Sequence, residues 1–393
     1  MSARMDSTAW QELRQLPRSV WCLSGATLIN RMGAMVFPFL VLYFHQSLKL
    51  DLETATGIAA LFGLGSGCAA PLGGWLADRY DAIKVLAWSM GSAGLLLLSF
   101  PLLKSSTLLM LGTFGIALLA DLSRPSSMTA LARLGGPEQS RPAFTLNYLA
   151  INLGMSIGPL LGGYLAQKDY RYLFWVDGTT SLLACLVLLA SGATCPAPKL
   201  GEGPKPSWNI GLPGFLVILW TIVALWQFIS FFTATPVYLV TVLHRPESWV
   251  GWIWMINTGV IVLTTVWVTH AARGVALSRQ LCWAALLFSS GYAILLARPE
   301  LDGLIGCMLM LTLGELLLFT NVNVYLQKMV PEHKLGRAMA LNSVTFSVAV
   351  SLSNPAVGYF FANRTPAEFW TVLTLTGLVA ALGFSKLPNE RAP

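Results

Sequence analysis

Five ionisable residues stand inside long apolar runs of this chain: Arg31, Asp121, Arg124, Asp177 and Glu315. On insertion scales each costs about 2.5–3.5 kcal/mol at the centre of a bilayer, so such groups must pair with one another or face a wet cavity. A carboxylate in poorly hydrated surroundings is cheaper as the neutral acid. It can therefore take a proton from one side and release it to the other, and Glu315 is the candidate for that work, with Asp121 second. The other reading of Glu315 is a hydrogen-bonded acid that fixes helix packing. Asp121 and Arg124 are three residues apart and share a helical face. Arg31 lies in the small, polar stretch Asn30-Arg31-Met32-Gly33, and two roles stay open for it: a salt bridge with Asp121, or direct contact with a bound molecule. Asp177 falls near the end of its apolar run, where capping or packing is expected.

Other chemistry finds no support. The cysteines Cys22, Cys68, Cys185, Cys195, Cys282 and Cys307 are scattered and form no CxxC or Cys/His cluster, so neither a disulfide framework nor a metal site is expected. The four histidines are isolated. There is no Walker loop, dinucleotide loop or catalytic triad. An enzyme, a cofactor and ATP as the energy source are not expected.

The elements that must position these residues follow from composition. Of 393 residues, 55% are hydrophobic and 11% charged, against about 25% charged in soluble domains. Runs long enough to span a bilayer predict helices at 19–44, 54–77, 84–103, 107–130, 143–166, 172–191, 212–242, 249–269, 278–297, 301–325, 336–361 and 367–386. Arg31 is then about 18 Å of rise into the first helix, near mid-membrane. A β-barrel is excluded because the runs are too long and do not alternate. The first run is long enough to span and follows a polar stretch, so it does not read as a cleaved signal; Ala9 to Leu16 is expected as a short surface helix.

The net charge of +7 is dispersed over many short loops, which points to helix orientation and not to nucleic acid. Counting loop Lys and Arg gives sixteen on one side, including Arg4, Arg79, Lys84, Arg133, Arg141, Lys199, Lys205, Arg273, Lys334 and Arg337. Seven lie on the other, including Lys104 and Arg298. The positive-inside rule puts both termini in the cytoplasm of a multi-pass inner-membrane protein. The stretch Ser191 to Trp208 is rich in Pro and Gly and splits the helices six and six. The expected organisation is a cytoplasmic segment 1–18, a bundle 19–191, a linker 192–211, a bundle 212–386 and a tail 387–393. Arg141, Pro159 and Gly162 recur 196 residues later as Arg337, Pro355 and Gly358, a faint parallel repeat.

Three stretches carry a family resemblance. The stretch Gly74-Trp75-Leu76-Ala77-Asp78-Arg79-Tyr80-Asp81-Ala82-Ile83-Lys84 resembles the signature between helices 2 and 3 of the major facilitator superfamily, with Asp81 in place of its usual glycine. In helix 5, Gly158-Pro159-Leu160-Leu161-Gly162-Gly163 is similar to the Gly-Pro-x-x-Gly-Gly element of that family's antiporter branch. Gly314-Glu315 resembles a pair in some multidrug exporters of the superfamily. The resemblance implies an all-α membrane protein of twelve transmembrane helices in two pseudo-symmetric six-helix bundles, the major facilitator fold. It implies that Gly74, Asp78 and Arg79 form a conformational latch, and that Gly158, Pro159 and Gly162 are a helix-packing motif. Helices 1, 4, 7 and 10 line a cavity in this family, which puts Arg31, Asn30, Asp121, Arg124 and Glu315 on its walls. From helix 7, Trp226 and Phe231 are the expected aromatic lining, although such rings also face lipid.

The implied activity is proton-coupled secondary transport: export of a small amphipathic or drug-like molecule by alternating access, by a chain that works as a monomer. Two alternatives remain: a proton symporter importing an acidic metabolite or peptide, and a transport-dead membrane sensor.

Overall fold

A computed structural model describes residues 13–196, 211–272, 274–329 and 332–388. The N-terminal segment up to position 12, linker residues 197–210 (Lys199 and Lys205 among them), Arg273 and the tail from 389 lie outside the described residues, as do the side chains of Arg141, Lys334 and Arg337. The described residues are helical and contain no strand. Among the described residues twelve helices are long and apolar enough to cross a membrane, and they are numbered here as spans 1 to 12: Arg18–Ser47, Leu52–Arg79, Ala82–Leu102, Ser106–Gly135, Pro142–Ala166, Arg171–Ala190, Gly211–Val242, Ser248–Thr265, Leu277–Ala297, Leu301–Leu326, Val344–Asn363 and Pro366–Ser385. Their order and places follow the hydropathy pattern.

The helices are apolar outside and polar between. Leu102, Leu263 and Trp267 are each at least 74% exposed, while Asn147, Gln227, Asn257, Thr312 and Ser353 are buried. In water that exterior would aggregate; in a bilayer it is the solvated face. Capping sets several helix starts. Asp81 opens span 3, Ser105 opens span 4 and Thr365 opens span 12, each accepting a hydrogen bond from a backbone N–H of the first turn.

Proline stands beside the interruptions. Span 1 is helical over Arg18–Gly33 and again over Val36–Leu42, with a break at Ala34 and Met35. Pro38 has no N–H to offer the carbonyl of Ala34, and its ring crowds that carbonyl. Span 4 is interrupted at Leu122, where Pro125 acts in the same way on Asp121. From Ser123 the helical backbone continues to Ala166, through the junction with span 5.

Spans 1 and 7 end alike. Each closes in a widened helical turn, Tyr43–Ser47 and Tyr238–Val242. Leu48 N donates to Tyr43 O and Leu243 N to Tyr238 O; Leu50 N donates to Phe44 O and Arg245 N to Leu239 O. Lys49 and His244 then take left-handed backbone at φ 58° and 49°. A second correspondence joins spans 3 and 6 with spans 9 and 12. Gly94 packs on the Gly178 backbone in the first pair, and Gly377 faces the Ser289 side chain in the second. The repeat thus appears in local geometry as well as in the three sequence matches.

The chain forms two compact units, one of Met1–Phe37 with Cys68–Glu202 and one of Pro38–Gly67 with Gly203–Pro393. The sequence places the division at the linker, 19–191 against 212–386. By contacts, residues 38–67 group with the later spans because the first half of span 2 interlocks with span 11. There, side chains at Gly63 and Gly358 would meet Ser351 and Thr56, and Glu53 accepts a hydrogen bond from Asn363.

Candidate functional site

In the first unit the break in span 1 is the centre of a polar junction. Asp177 of span 6 is buried, and its Oδ2 accepts from the backbone N–H of Val36 at 3.4 Å. This is a donor that the helix beginning at Val36 leaves unsatisfied, and a carboxylate there is also favoured by the helix dipole. Asp177 therefore caps a helix, but a different helix from its own. One turn along span 6, Thr180 lies against Gly33, where any Cβ would collide with it, and Ser181 Oγ accepts from Asn30 Nδ2 at 3.0 Å.

On another side span 5 presents Gly154 and Gly158. A Cβ on Gly158 would stand 2.9 Å from Arg31 O, and one on Gly154 would meet the Arg31 side chain. The glycines let the two backbones approach closely. Gly158, Pro159 and Gly162 are buried on this span, and Pro159 is accommodated in a helix that continues to Ala166. Gly154, one turn before the motif, makes the tightest approach; the sequence reading missed it, although the four-residue spacing of 154, 158 and 162 was its signal.

Asp121 and Arg124 pair within span 4, Oδ1 to Nε at 2.9 Å, with the Asp121 side chain 10% exposed and that of Arg124 52%. Arg31 is within electrostatic reach of Asp121, Asp177 and Arg124, and its Nε is buried without a hydrogen-bond partner. The ion pair at contact distance is thus Asp121–Arg124, and not the Arg31–Asp121 bridge that the sequence left open. Two arginines and two aspartates share the junction.

In the second unit Glu315 projects from span 10. Its Oε2 accepts from Asn257 Nδ2 of span 8 at 2.9 Å, and the same amide donates to Thr312 Oγ1 at 3.0 Å. Thr312 in turn donates to Met308 O. Asn257 and Thr312 were not anticipated. An amide at an otherwise apolar position of span 8, aligned with a carboxylate elsewhere, was the available signal.

Span 7 supplies aromatic rings, but not as expected. Phe231 is 0% exposed and meets Phe232 edge-on, so it offers no surface to a ligand here. This corrects its assignment to a cavity wall, and the cause is the helical turn that points position 231 into the packing. Trp226 is partly buried, with its indole N–H unpartnered and its carbonyl accepting from Ser353 Oγ. The rings directed towards spans 8 and 10 are Phe228 and Phe232, which touch Phe319 and Trp254.

The residues expected to form the latch make local contacts in the first unit. Asp78 lies 3.6 Å from Arg133 Nη2, and Arg79 stacks over the Trp75 ring at 4.5 Å. A Cβ on Gly74 would meet nothing within 4 Å. The close approach belongs to Gly73, whose Cβ would stand 2.6 Å from Pro125 of span 4. Asp81, which departs from the family signature, accepts from Ile83, Lys84 and, at 2.7 Å, Cys195 N. It thereby ties the chain after span 6 to the start of span 3. Among the described residues no three His, Cys, Asp or Glu side chains gather as a metal site.

The family profile for the Major Facilitator Superfamily matches residues 23–353. Among curated relatives, the uncharacterized MFS-type transporter YttB of Bacillus subtilis is 25% identical over 82% of this chain and 83% of its own. The Na(+), Li(+), K(+)/H(+) antiporter of Planococcus maritimus is 24% identical over 92% and 93%. The enterobactin exporter EntS of Escherichia coli is 28% identical over 49% of this chain and 45% of its own. Among solved structures, a POT family transporter in complex with 5-aminolevulinic acid superposes with a TM-score of 0.77 at 15% identity, covering 93% of this chain and 95% of that one. The chain belongs to the major facilitator superfamily and has its fold. It is a multi-pass membrane protein of a family of transporters, not enzymes, whose members carry small molecules and typically work as monomers.

Proposed function

We propose that this chain is a proton-coupled antiporter that exports a small amphipathic molecule by alternating access, with Glu315 as the group that exchanges the proton. The observation that carries this reading is the setting of Glu315. It is an acid in an apolar span, steadied through one oxygen by Asn257 and with no Lys or Arg within spans 7, 8 and 10. A group that alternates between neutral and charged forms there biases conformation, and one inward proton contributes about 2.3 kcal/mol per 100 mV. The antiporter and exporter among the relatives support the direction. In this proposal the two six-helix bundles of the sequence reading rock about one another in the inner membrane, both termini cytoplasmic. Asp121 remains the second proton candidate, and Asp78 with Arg79 the latch.

The test is substrate flux in proteoliposomes under an imposed pH gradient. Efflux driven by an inward proton gradient is expected. Uptake with the proton would overturn export in favour of the symport reading, which the unpartnered Nε of Arg31 favours because a carboxylate could fill that bond.

A further inference from the structure

We infer that residues 193–196, the chain leaving span 6, form a strap docked on the neighbouring ends of spans 2, 3 and 4, and that Arg133, shared between the strap and Asp78, couples its docking to the latch. The inference rests on the proposed function only in taking Asp78 as that latch.

The sequence builds the strap in three steps. Span 6 ends at Ala190, and Gly192 takes left-handed backbone at φ 63°, which glycine adopts without a Cβ penalty and which turns the chain out of the helix. Ser191 Oγ accepts from Ala193 N and holds that turn. Beyond it Thr194 and Pro196 are exposed, while Cys195 is buried in one apolar cluster with Leu13, Leu16, Ile83 and Leu188. Cys195 O accepts from Ala82 N at 3.0 Å, and Cys195 N donates to Asp81 Oδ2 at 2.7 Å. The other oxygen of Asp81 caps span 3 through Ile83 N and Lys84 N. One carboxylate thus holds two separate backbones. With a single buried side chain and a few hydrogen bonds, the strap can open locally without unfolding the bundle.

Arg133 supplies the coupling. Its Nη1 donates to Ala77 O at 3.3 Å and to Pro196 O at 3.4 Å, and its Nη2 stands 3.6 Å from Asp78 Oδ1. Charge-assisted bonds of this kind settle near 2.7–2.9 Å. The guanidinium is therefore stretched over three acceptors, and a shift that shortens one contact lengthens another. Ala77 O belongs to the last turn of span 2, where a cation is favoured and fixed. The Asp78 side chain is 65% exposed and that of Arg133 27%, so Asp78 is the member that can leave. Once Asp78 turns to another partner, Arg133 closes on Pro196 O and tightens the strap. When Asp78 returns, the strap loosens. Latching and docking favour each other. Burial also pushes the Cys195 thiol up against the pull of Arg133 beside it, so the docked thiol is shielded and unreactive.

The experiment is the rate at which maleimide labels Cys195 in the purified full chain, with the other cysteines replaced by alanine. The rate follows the population of the open strap. The parent should label slowly. Arg133→Gln should raise the rate about three- to tenfold, the worth of one ordinary hydrogen bond. Should that variant not fold, Arg133→Lys, which keeps the charge without the fork, takes its place. Ala82→Pro removes the N–H that holds Cys195 O, at a first helical position that accepts proline, and should raise the rate by a similar factor. Asp78→Asn should slow labelling about threefold, and that effect should vanish when Arg133 is also replaced. Rapid labelling of the parent would overturn the docking. An unchanged or faster rate in Asp78→Asn, or a slowing that persists without Arg133, would overturn the coupling. Flux through Asp78→Asn is read separately. Slowed labelling with normal flux keeps the strap and removes the latch; altered flux with unchanged labelling keeps the latch and sinks the strap.

Discussion

The charged junction of spans 1, 4 and 6 and the aromatic region of spans 7, 8 and 10 solve the same problem in opposite ways. In the junction two arginines and two aspartates offset one another, and the polar groups do structural work: Asp177 caps a broken helix and Asn30 binds Ser181. In the aromatic region one carboxylate stands without a countercharge and is steadied by a neutral amide. Under the proposed function the first region is a frame and the second, whose acid would exchange the proton, a switch.

The sharpest way to break this contrast is to neutralise the switch. Glu315→Gln mimics only the protonated form, so proton-driven flux should fall to background while exchange at saturating substrate persists. Normal proton-driven flux by a folded variant would move the carrier to Asp121.

Overpacking the frame should come next. Gly154→Leu forces spans 1 and 5 apart and should destabilise the protein by about 1–3 kcal/mol, read as a lower melting temperature in detergent. Gly74→Ala meets open space and should stay within about 0.5 kcal/mol of the parent. A large loss at Gly74 would mean that the packing identified at Gly73 and Gly154 is not what holds these helices.

Double-mutant cycles then sharpen the account of the charges. Asp121–Arg124 is the shorter pair, but the Arg124 side chain is half exposed and screened. Coupling between Arg31 and Asp121 should be the larger, in the range of about 0.5–3 kcal/mol. The opposite order would restore Arg31 as a ligand that owes nothing to Asp121.

The smallest effect is expected at the edge of the frame. Asp81→Ala should cost about 1 kcal/mol through the lost cap and release the backbone at Cys195. With the other cysteines removed, maleimide should then label Cys195, which is 3% exposed, faster than in the parent.

Particular residues show where the sequence was legible. Helix number and order were, because each span must bury about twenty residues in lipid and the apolar runs record that need. The five interior charges were also visible, since each stands out against an apolar run. The pairing of Asp121 with Arg124 followed from their spacing, but partners far along the chain did not: Asp177 caps Val36, 141 positions away, and Asn257 meets Glu315 at a separation of 58. Asp81 was seen as a departure from a motif, although an Asp just before an apolar run is an ordinary cap signal.

Hydropathy alone therefore settles that this chain lives in a membrane, because it acts over one run of chain; proline does not by itself set a break, since Pro38 and Pro125 sit beside interruptions while Pro71, Pro236 and Pro355 lie inside continuous helices. Which face of each helix points inward is a different kind of fact. A side chain turns by about 100° per residue, so one position separates Gly73 in contact from Gly74 in open space, and Phe231 in the packing from Phe232 against Trp254. That choice depends on which neighbouring helices pack against each face, and only the folded bundle fixes it.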